Sequence, residues 1–567
     1  MGKLELFVMS RYLKWFQSVV RPYKVDILVM MLCHIFLAFC TISFVYISKA
    51  LIDMAVGVFS GNGAGHSHTA FPFMEPTSGN MVIWSLLLVS FVLLRIFLST
   101  VRTWLQTRTE ISMRNNLRKE LFDILLHKAA IESSRDHSGN LVNKLQVDVA
   151  VVSSAFAVSI PSLAGAFIQF LAAFAYFVIL DVRLALLQLL LMPAGVFAGK
   201  FLMLRIRNLT SEIRESDSAV HSYLQESLQH LPVLQAFEYS DSGIGRLDRL
   251  QSTVYDNEIR RTRFSILSRV IMSFVFAAAQ AVAFLWGVAG IAAGTISYGM
   301  MTAFLQLLAQ IQRPLVEVST RLPSVIHCAA SIDRLVEIQS IVPDRETEPV
   351  FLSGVAGIRF SDVSFAYSGS KTKIFSHFSH DFKPGSRTAV TGPTGVGKST
   401  MMKLMLSFLS PTEGMIEIYD SKSSMQISAS ARRNFVFVPQ GNSLFSGTVR
   451  DNLLIGNPQA TETQLREALE MAAADFVFDL PAGLDTQCFE SGAGLSEGQA
   501  QRVAVARALL RPGSILLLDE FSSALDSSTE SLLLQRLTSG RPDLTMIFIT
   551  HREKILEYCD SILQLEQ

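Results

Sequence analysis

A chain of 567 residues is longer than one ordinary domain, and its composition points to two unlike halves. Hydrophobic residues make up 50% and charged residues 17%, which is too apolar for a soluble enzyme and too charged for a bare membrane bundle. Lys+Arg and Asp+Glu balance at 49 each, so bulk charge gives no argument for a nucleic acid or another polyanion as partner, and none is expected.

Residues 1–24 mix Leu13, Trp15, Phe16 and Val19 with Arg11, Lys14 and Arg21, with no small-residue cleavage site before the first long apolar run. They read as an amphipathic elbow helix on the membrane surface rather than a signal peptide. Residues 27–48 carry no Lys, Arg, Asp or Glu and are long enough to cross roughly 30 Å of hydrocarbon at about 1.5 Å per residue. Further spans are expected at 81–105, 149–180, 184–204, 270–292 and 297–320, the last two joined by a turn at Ala293–Gly294–Thr295. The transmembrane domain is therefore expected to occupy 25–339 with six spans. The segments 1–26, 106–148 and 205–269 hold many cationic residues, Arg108, Arg114, Arg118, Arg207, Arg260 and Arg261 among them, whereas the loop 57–80 has none. That asymmetry predicts cytoplasmic termini. The inner segments have helical periodicity, as at Leu117, Leu121 and Leu125, so the spans are expected to continue into the cytosol. His66 and His68 lack a third ligand for a metal, and the five cysteines are scattered without a C-x-x-C pair; an ordinary loop and reduced thiols are the readings.

Residues 340–356, with Pro343, Pro349 and Gly354, read as a linker, and from Gly357 to Gln567 short β-rich runs alternate with helices, as in an α/β domain. The strand Arg387–Thr391 runs into Gly392-Pro393-Thr394-Gly395-Val396-Gly397-Lys398-Ser399 and then a helix from Thr400, which matches a P-loop. Its glycines let backbone N–H groups close on phosphates, Lys398 reaches the β/γ oxygens, and Ser399 is placed for Mg²⁺. The apolar strand Ser514–Leu518 delivers Asp519 and Glu520 at its tip, Asp519 for the Mg²⁺ shell and Glu520 to orient or deprotonate the attacking water. Ser496 with Gln499 three residues on has the pattern of a capping box.

Leu495-Ser496-Glu497-Gly498-Gln499 resembles the signature sequence of the ATP-binding cassette family, and the order of membrane domain then cassette is similar to half-transporters of the lipid-flippase and multidrug-exporter group, with the type IV fold. The resemblance implies an all-α six-helix transmembrane domain followed by a cytosolic α/β P-loop ATPase. It also implies that Ser496, Gly498 and Gln499 of one copy cap the ATP held by the P-loop of a second. Tyr367 matches the adenine-stacking aromatic, Gln440 the glutamine that links Mg²⁺ to the membrane domain, Asp526 the loop crossing the dimer interface, and His551 the γ-phosphate histidine. Ser138-Gly139 with Asp148, and Glu226-Ser227-Leu228 leading to Ala236-Phe237, resemble the stretches around the two coupling helices. Three departures stand out: Glu497 replaces a glycine, Phe521 replaces a small residue or proline, and little chain follows His551.

The resemblance implies ATP-driven export or flipping of a hydrophobic or amphiphilic compound such as a lipid, drug or peptide, with ATP and Mg²⁺ as cofactors. It also implies membrane lipid as surroundings and a homodimer rather than a heterodimer, because no catalytic motif is degenerate. An importer of the same fold is the alternative; an ATP-gated channel or regulatory subunit would tolerate loss of Glu520 or His551, and both are present. The compact half-transporter form points to a bacterial inner membrane. Arg95 sits mid-span, where a charge costs about 2.5–3.5 kcal/mol on insertion scales. It is expected either to line a translocation cavity favouring anionic heads, with walls such as Phe274, Phe276, Met300 and Met301, or to pair with Asp53.

Overall fold

The computed structural model describes Trp15 and residues 18–60, 80–126, 138–339, 350–367, 372–489 and 494–566, without the side chains of 58–60, 138–139, 191–204 and Ser319. Most of the expected elbow helix, the loop bearing His66 and His68, and most of the linker lie outside the described residues. The chain divides into two compact units, one comprising Met1–Glu120 with Lys144–Val336, the other Leu121–Asn143 with Glu337–Gln567.

The first unit is helical. Helix α1 is Lys24–Ser60, α2 Met81–Leu126, α3 Asn140–Leu180, α4 Val182–Gln229, α5 Leu231–Ala236, α6 Ser240–Ala292 and α7 Tyr298–Gln339. The six long helices cover the six stretches expected as spans except Ser297, which precedes α7. Among the described residues, the helices at Ser18–Gly57, Met81–Leu126, Asn140–Leu180 and Ser240–Ala292 are long and apolar enough to cross a membrane. In α7 the apolar run is interrupted by Gln306, Gln310, Gln312 and Arg313, and α4 carries residues 191–204 whose side chains are outside the described set. Helix α3 contains two π-helical stretches, Lys144–Asp148 and Ala155–Ser159, and the buried carboxylate of Asp148 in the first accepts from Arg334 Nε (2.7 Å) and Ser331 Oγ (2.8 Å) of α7.

Packing follows the apolar faces. Val45 of α1, Phe177 of α3, Leu184 of α4, Ala279 of α6 and Phe304 of α7 share one buried cluster, with the Phe177 and Phe304 rings 5.7 Å apart. Small residues permit the close approaches: a Cβ on Gly165 of α3 would collide with the imidazole of His34 on α1. Outward, Leu86, Leu93, Ile96 and Phe97 of α2 are exposed, an apolar surface suited to hydrocarbon rather than water. The α3–α4 turn is fixed by Asp181, which accepts from the N–H groups of Arg183 (2.9 Å) and Leu184 (3.0 Å) and from the Trp286 indole (2.9 Å). The chain turns between α6 and α7 at Gly294, whose φ of 71° favours glycine.

The second unit is a cassette of two main sheets. Strands β1 (Gly357–Phe365), β2 (Phe375–Phe382), β4 (Glu413–Tyr419) and β5 (Ser424–Gln426) form an antiparallel sheet in the order β2-β1-β4-β5. Strands β3 (Arg387–Thr391) and β6 (Phe435–Val438) join β9 (Ile515–Asp519), β10 (Thr545–Ile549) and β11 (Ser561–Gln564) in a parallel sheet ordered β11-β3-β10-β9-β6. A short pair, β7 (Gly447–Thr448) with β8 (Gln487–Cys488), lies among the helices α9 (Val449–Leu454) and α10 (Glu462–Met471). The central strands β9 and β10 are buried at every residue, as strands covered on both faces must be. One core gathers the antiparallel sheet and the helix α8 (Lys398–Met405); the other gathers α9, α10, α11 (Glu497–Leu509) and α12 (Ser527–Gly540). Strand β11 pairs with β3 and forms one edge of the sheet.

Candidate nucleotide site and membrane cavity

The site in the cassette begins where β3 ends. Gly392, Gly395 and Gly397 have φ values of 145°, 87° and 112°, in the region that favours glycine. A Cβ at Gly392 would lie 2.6 Å from the Leu565 carbonyl oxygen, and one at Gly397 would lie 2.5 Å from Ile374 Cγ2, so sterics as well as φ require the loop sequence. Gly397 leads into α8 with no side-chain cap, which leaves the first N–H groups of that helix to whatever anion meets the loop. Pro393, Thr394 and Ser399 are exposed, while Val396 and Thr400 are buried and hold the loop onto the core.

Four sequence-distant residues meet at this loop. The Lys398 ammonium donates to the carbonyls of Gly392 (2.6 Å) and Pro393 (3.1 Å) and lies 3.0 Å from His551 Nε2. His551 Nε2 is also 3.6 Å from a Glu520 carboxylate oxygen, and Gln440 Nε2 donates to the other at 2.5 Å. Lys398, His551, Glu520 and Gln440 thus form one polar chain carried by β3–α8, the end of β10, the end of β9 and the end of β6, the strand tips where open parallel sheets bind ligands. Glu520 takes a left-handed φ of 43°, and its N–H donates to the Ile549 carbonyl at 3.0 Å, so backbone geometry fixes this residue at the strand tip. Burial, then the adjacent Glu520 charge, push the Asp519 carboxyl above its usual range, opposed by Lys398 and Lys403. Tyr367 is half-exposed, with its hydroxyl 3.3 Å from Thr400 Oγ1 and its ring against Phe365.

The Leu495–Gln499 segment opens α11. Ser496 accepts from the Gln499 N–H (3.2 Å), and Gln499 Oε1 accepts from the Ser496 N–H (2.9 Å), a complete capping box. Glu497 is exposed in the first helical turn, where an acid suits the helix dipole. A Cβ on Gly498 would lie 2.7 Å from the Ala524 carbonyl oxygen, so α11 and the loop Ser523–Asp526 touch backbone to side. Gln501 ties the same two segments together: its amide donates to Ser523 Oγ (3.0 Å) and accepts from the Ala524 N–H (3.3 Å). Arg552 donates to the Ser523 (2.9 Å) and Leu525 (3.0 Å) carbonyls from the other side. Sequence reasoning missed both clamps, because neither residue sits in a recognisable spacing. Asp526 caps α12 through Ser528 and Thr529, whose donors hold its carboxyl well below the usual range. Phe521 is buried against Phe548, with ring centroids 6.0 Å apart, so this departure from the family pattern fills the core.

In the helical unit, the short helix α5 follows the end of α4 and leaves Leu231, Val233 and Phe237 exposed. Helices α1, α2, α3 and α7 enclose a cavity of about 190 Å³ lined by His34, Thr41, Arg95, Arg102, Gln169 and Arg313. A more open cavity of about 940 Å³ shares Arg102, Arg313 and Glu317 with it and adds Phe276, Val316 and Arg321. Arg95 therefore lines a cavity, as does Phe276. Phe274 is exposed, and Met301 packs on Gly287. Asp53 is not the counterion of Arg95: its carboxylate takes Lys49 (3.6 Å), the Ser297 hydroxyl (3.0 Å) and the Gly299 N–H (2.8 Å), so it fastens the start of α7 to α1.

Residues 27–315 match the family model for the ABC transporter transmembrane region, and residues 375–523 match that for the ABC transporter. The ATP-dependent lipid A-core flippase of Desulfotalea psychrophila is 27% identical over 96% of this chain and 93% of its own length. The ABC multidrug transporter mdr2 of Aspergillus fumigatus is 31% identical over 79% of this chain and 57% of its own. A bacterial Atm1-family ABC exporter, solved with ATP bound, shares the fold with a TM-score of 0.77 and 23% identity, over 97% of this chain and 94% of that one.

Proposed function

Because this chain belongs to the ABC transporter family, an integral membrane ATPase family of transmembrane region followed by cassette, we propose that it exports or flips a hydrophobic or amphiphilic compound across a membrane, driven by ATP hydrolysis. The observation that carries this reading is the polar chain Lys398–His551–Glu520–Gln440 at the P-loop of a polypeptide that also carries apolar spanning helices. The curated relatives named as a lipid A-core flippase and a multidrug transporter favour export.

In this reading the P-loop N–H groups and the Lys398 ammonium bind the phosphates, and Tyr367 offers its ring to the adenine. Glu520, held between Gln440 and His551, takes the proton of the attacking water, while His551 stays within reach of the terminal phosphate. The residues fit Mg²⁺: Ser399, Gln440 and Asp519 offer hard oxygen donors, and a cation would relieve the repulsion between the Asp519 and Glu520 carboxylates. When bound, the ion neutralises charge on the phosphate oxygens.

Ser496, Gly498 and Gln499 of one copy complete the P-loop site of the other, in a homodimer whose axis lies along the membrane normal. Asp526 then lies in the loop at that interface. The exposed Leu231 and Val233 of α5 suit the coupling helix that the resemblance implies for this stretch. A bacterial inner membrane with cytoplasmic termini accommodates the cationic segments. Cysteines at Ser496 and Gly395 should crosslink between chains in ATP; purely intramolecular product would contradict the composite site. Inside-out vesicles test direction: ATP-dependent accumulation of a fluorescent amphiphile supports export, and ATP-dependent loss of a preloaded one contradicts it.

A further inference from the structure

We propose, resting on that export reading, that the cavity between α1, α2, α3 and α7 is the seat of the cargo's head group, and that the head group is anionic, a phosphate monoester on an amphiphile. Arg95 and Arg102 stand seven residues apart on one face of α2, and Arg313, Glu317 and Arg321 stand four apart on one face of α7. These faces converge on the two adjoining cavities. Four guanidinium groups there meet a single carboxylate among the lining residues, and that carboxylate is already taken, since Glu317 accepts from Arg321 at 3.2 Å. Among the described residues, Arg95 and Arg313 make no ion pair, and the buried Arg102 Nε has no hydrogen-bond partner. Charges within a membrane span are ordinarily paired by protein or face a cavity where a ligand can meet them.

His34 supplies a second, independent sign. It is 8% exposed, lines the smaller cavity, and its Nε2 is buried without a partner. Gly165 lets the ring lie flat against α3, so the imidazole is positioned by packing rather than by a hydrogen bond. A planar guanidinium is matched to phosphate oxygens in pairs, and three of them beside the unpartnered His34 Nε2 suit a dianionic head better than a carboxylate. At about 1.5 Å per residue, Arg95 lies roughly 20 Å and Arg102 roughly 30 Å along α2 from Met81. With Met81 at the outer face, both fall in the half of the bilayer nearer the cytosol, where an exporter loads. Phe276 and Val316 of the larger cavity are on hand for the first carbons of the tail.

Full-length protein in phosphatidylcholine nanodiscs, titrated with fluorescent lysophosphatidic acid and with lysophosphatidylcholine of the same chain, tests the proposal without ATP. Binding of the phosphate monoester at least tenfold tighter is expected; equal affinities would overturn it. Arg95→Gln and Arg313→Gln should each remove most of that preference, while Arg95→Lys retains part of it, with trinitrophenyl-ATP binding reporting that the variants are folded. A preference unchanged in both glutamine variants would also overturn it. Inorganic phosphate at equal concentration should fail to displace the lipid; full displacement means a site for the free ion instead. Trapping with ATP and vanadate should lower lysophosphatidic acid affinity several-fold. Tight binding that survives trapping means a structural lipid rather than cargo, even if vesicle transport is observed, whereas specific binding with no transport leaves the seat intact and removes the export reading.

Discussion

The two polar sites of this chain are built on opposite plans. In the cassette, Lys398 is fully occupied by two loop carbonyls and His551, Glu520 by Gln440, and the loop Ser523–Asp526 by Gln501 and Arg552. In the membrane cavity, Arg95, Arg313 and the His34 Nε2 stand without protein partners among the described residues. A site whose ligand never varies can be held rigid by the protein's own donors and acceptors, whereas a site that must take and release cargo leaves its charges for the cargo to meet.

Substitutions can break this contrast. The largest effect is expected at Glu520→Gln, which keeps the shape of the pocket but removes the base; ATP turnover should fall roughly 10²–10⁴-fold with nucleotide binding retained, as a binding and a rate measurement on the same sample will show. Unchanged turnover would mean that the polar chain at the P-loop is structural. Lys398→Ala deletes a charge that contributes in the ground state, and ATP affinity should drop about 10–100-fold by equilibrium titration. Near-normal affinity would place the phosphates elsewhere.

Two smaller changes sharpen the comparison. Gln501→Leu leaves Ser523 Oγ and the Ala524 N–H without their partner, so the full chain should lose about 1–3 kcal/mol of stability and the intersubunit crosslink at Ser496 should weaken. An unaltered crosslink yield and melting point would show the clamp to be idle. Asp53→Asn removes one charge from the Lys49–Ser297–Gly299 cluster, at about 0.5–1.5 kcal/mol by thermal unfolding, and should leave the preference for anionic lipid untouched. A lost preference would couple Asp53 to the arginines after all.

The sequence made the two-part architecture plain, because apolar runs of bilayer length and a glycine spacing flanked by strand and helix are local signals. Phe521 and Glu497 looked like defects in a pattern, yet one fills the space beside Phe548 and the other sits exposed in a first helical turn, facts that only packing reveals. The contact of Gln440 with Glu520 spans 80 residues and depends on the order β9-β6 in the sheet, which no periodicity encodes. Arg95 was conspicuous as one charge inside an apolar run. Its companions were not, since Arg102 falls near the expected end of a span and Arg313 follows a stretch without charge; the seven-residue spacing of Arg95 and Arg102 was the available signal.

The central claim is that the cassette's hydrolysis moves an amphiphile through the helical unit. Proteoliposomes loaded with wild-type protein or Glu520→Gln, and a head-group-labelled fluorescent lipid whose leaflet is read by an impermeant quencher, test it most directly. The account predicts lipid movement that requires ATP in the wild type and is lost with Glu520→Gln; movement at equal rates in both, or independent of ATP, would contradict it.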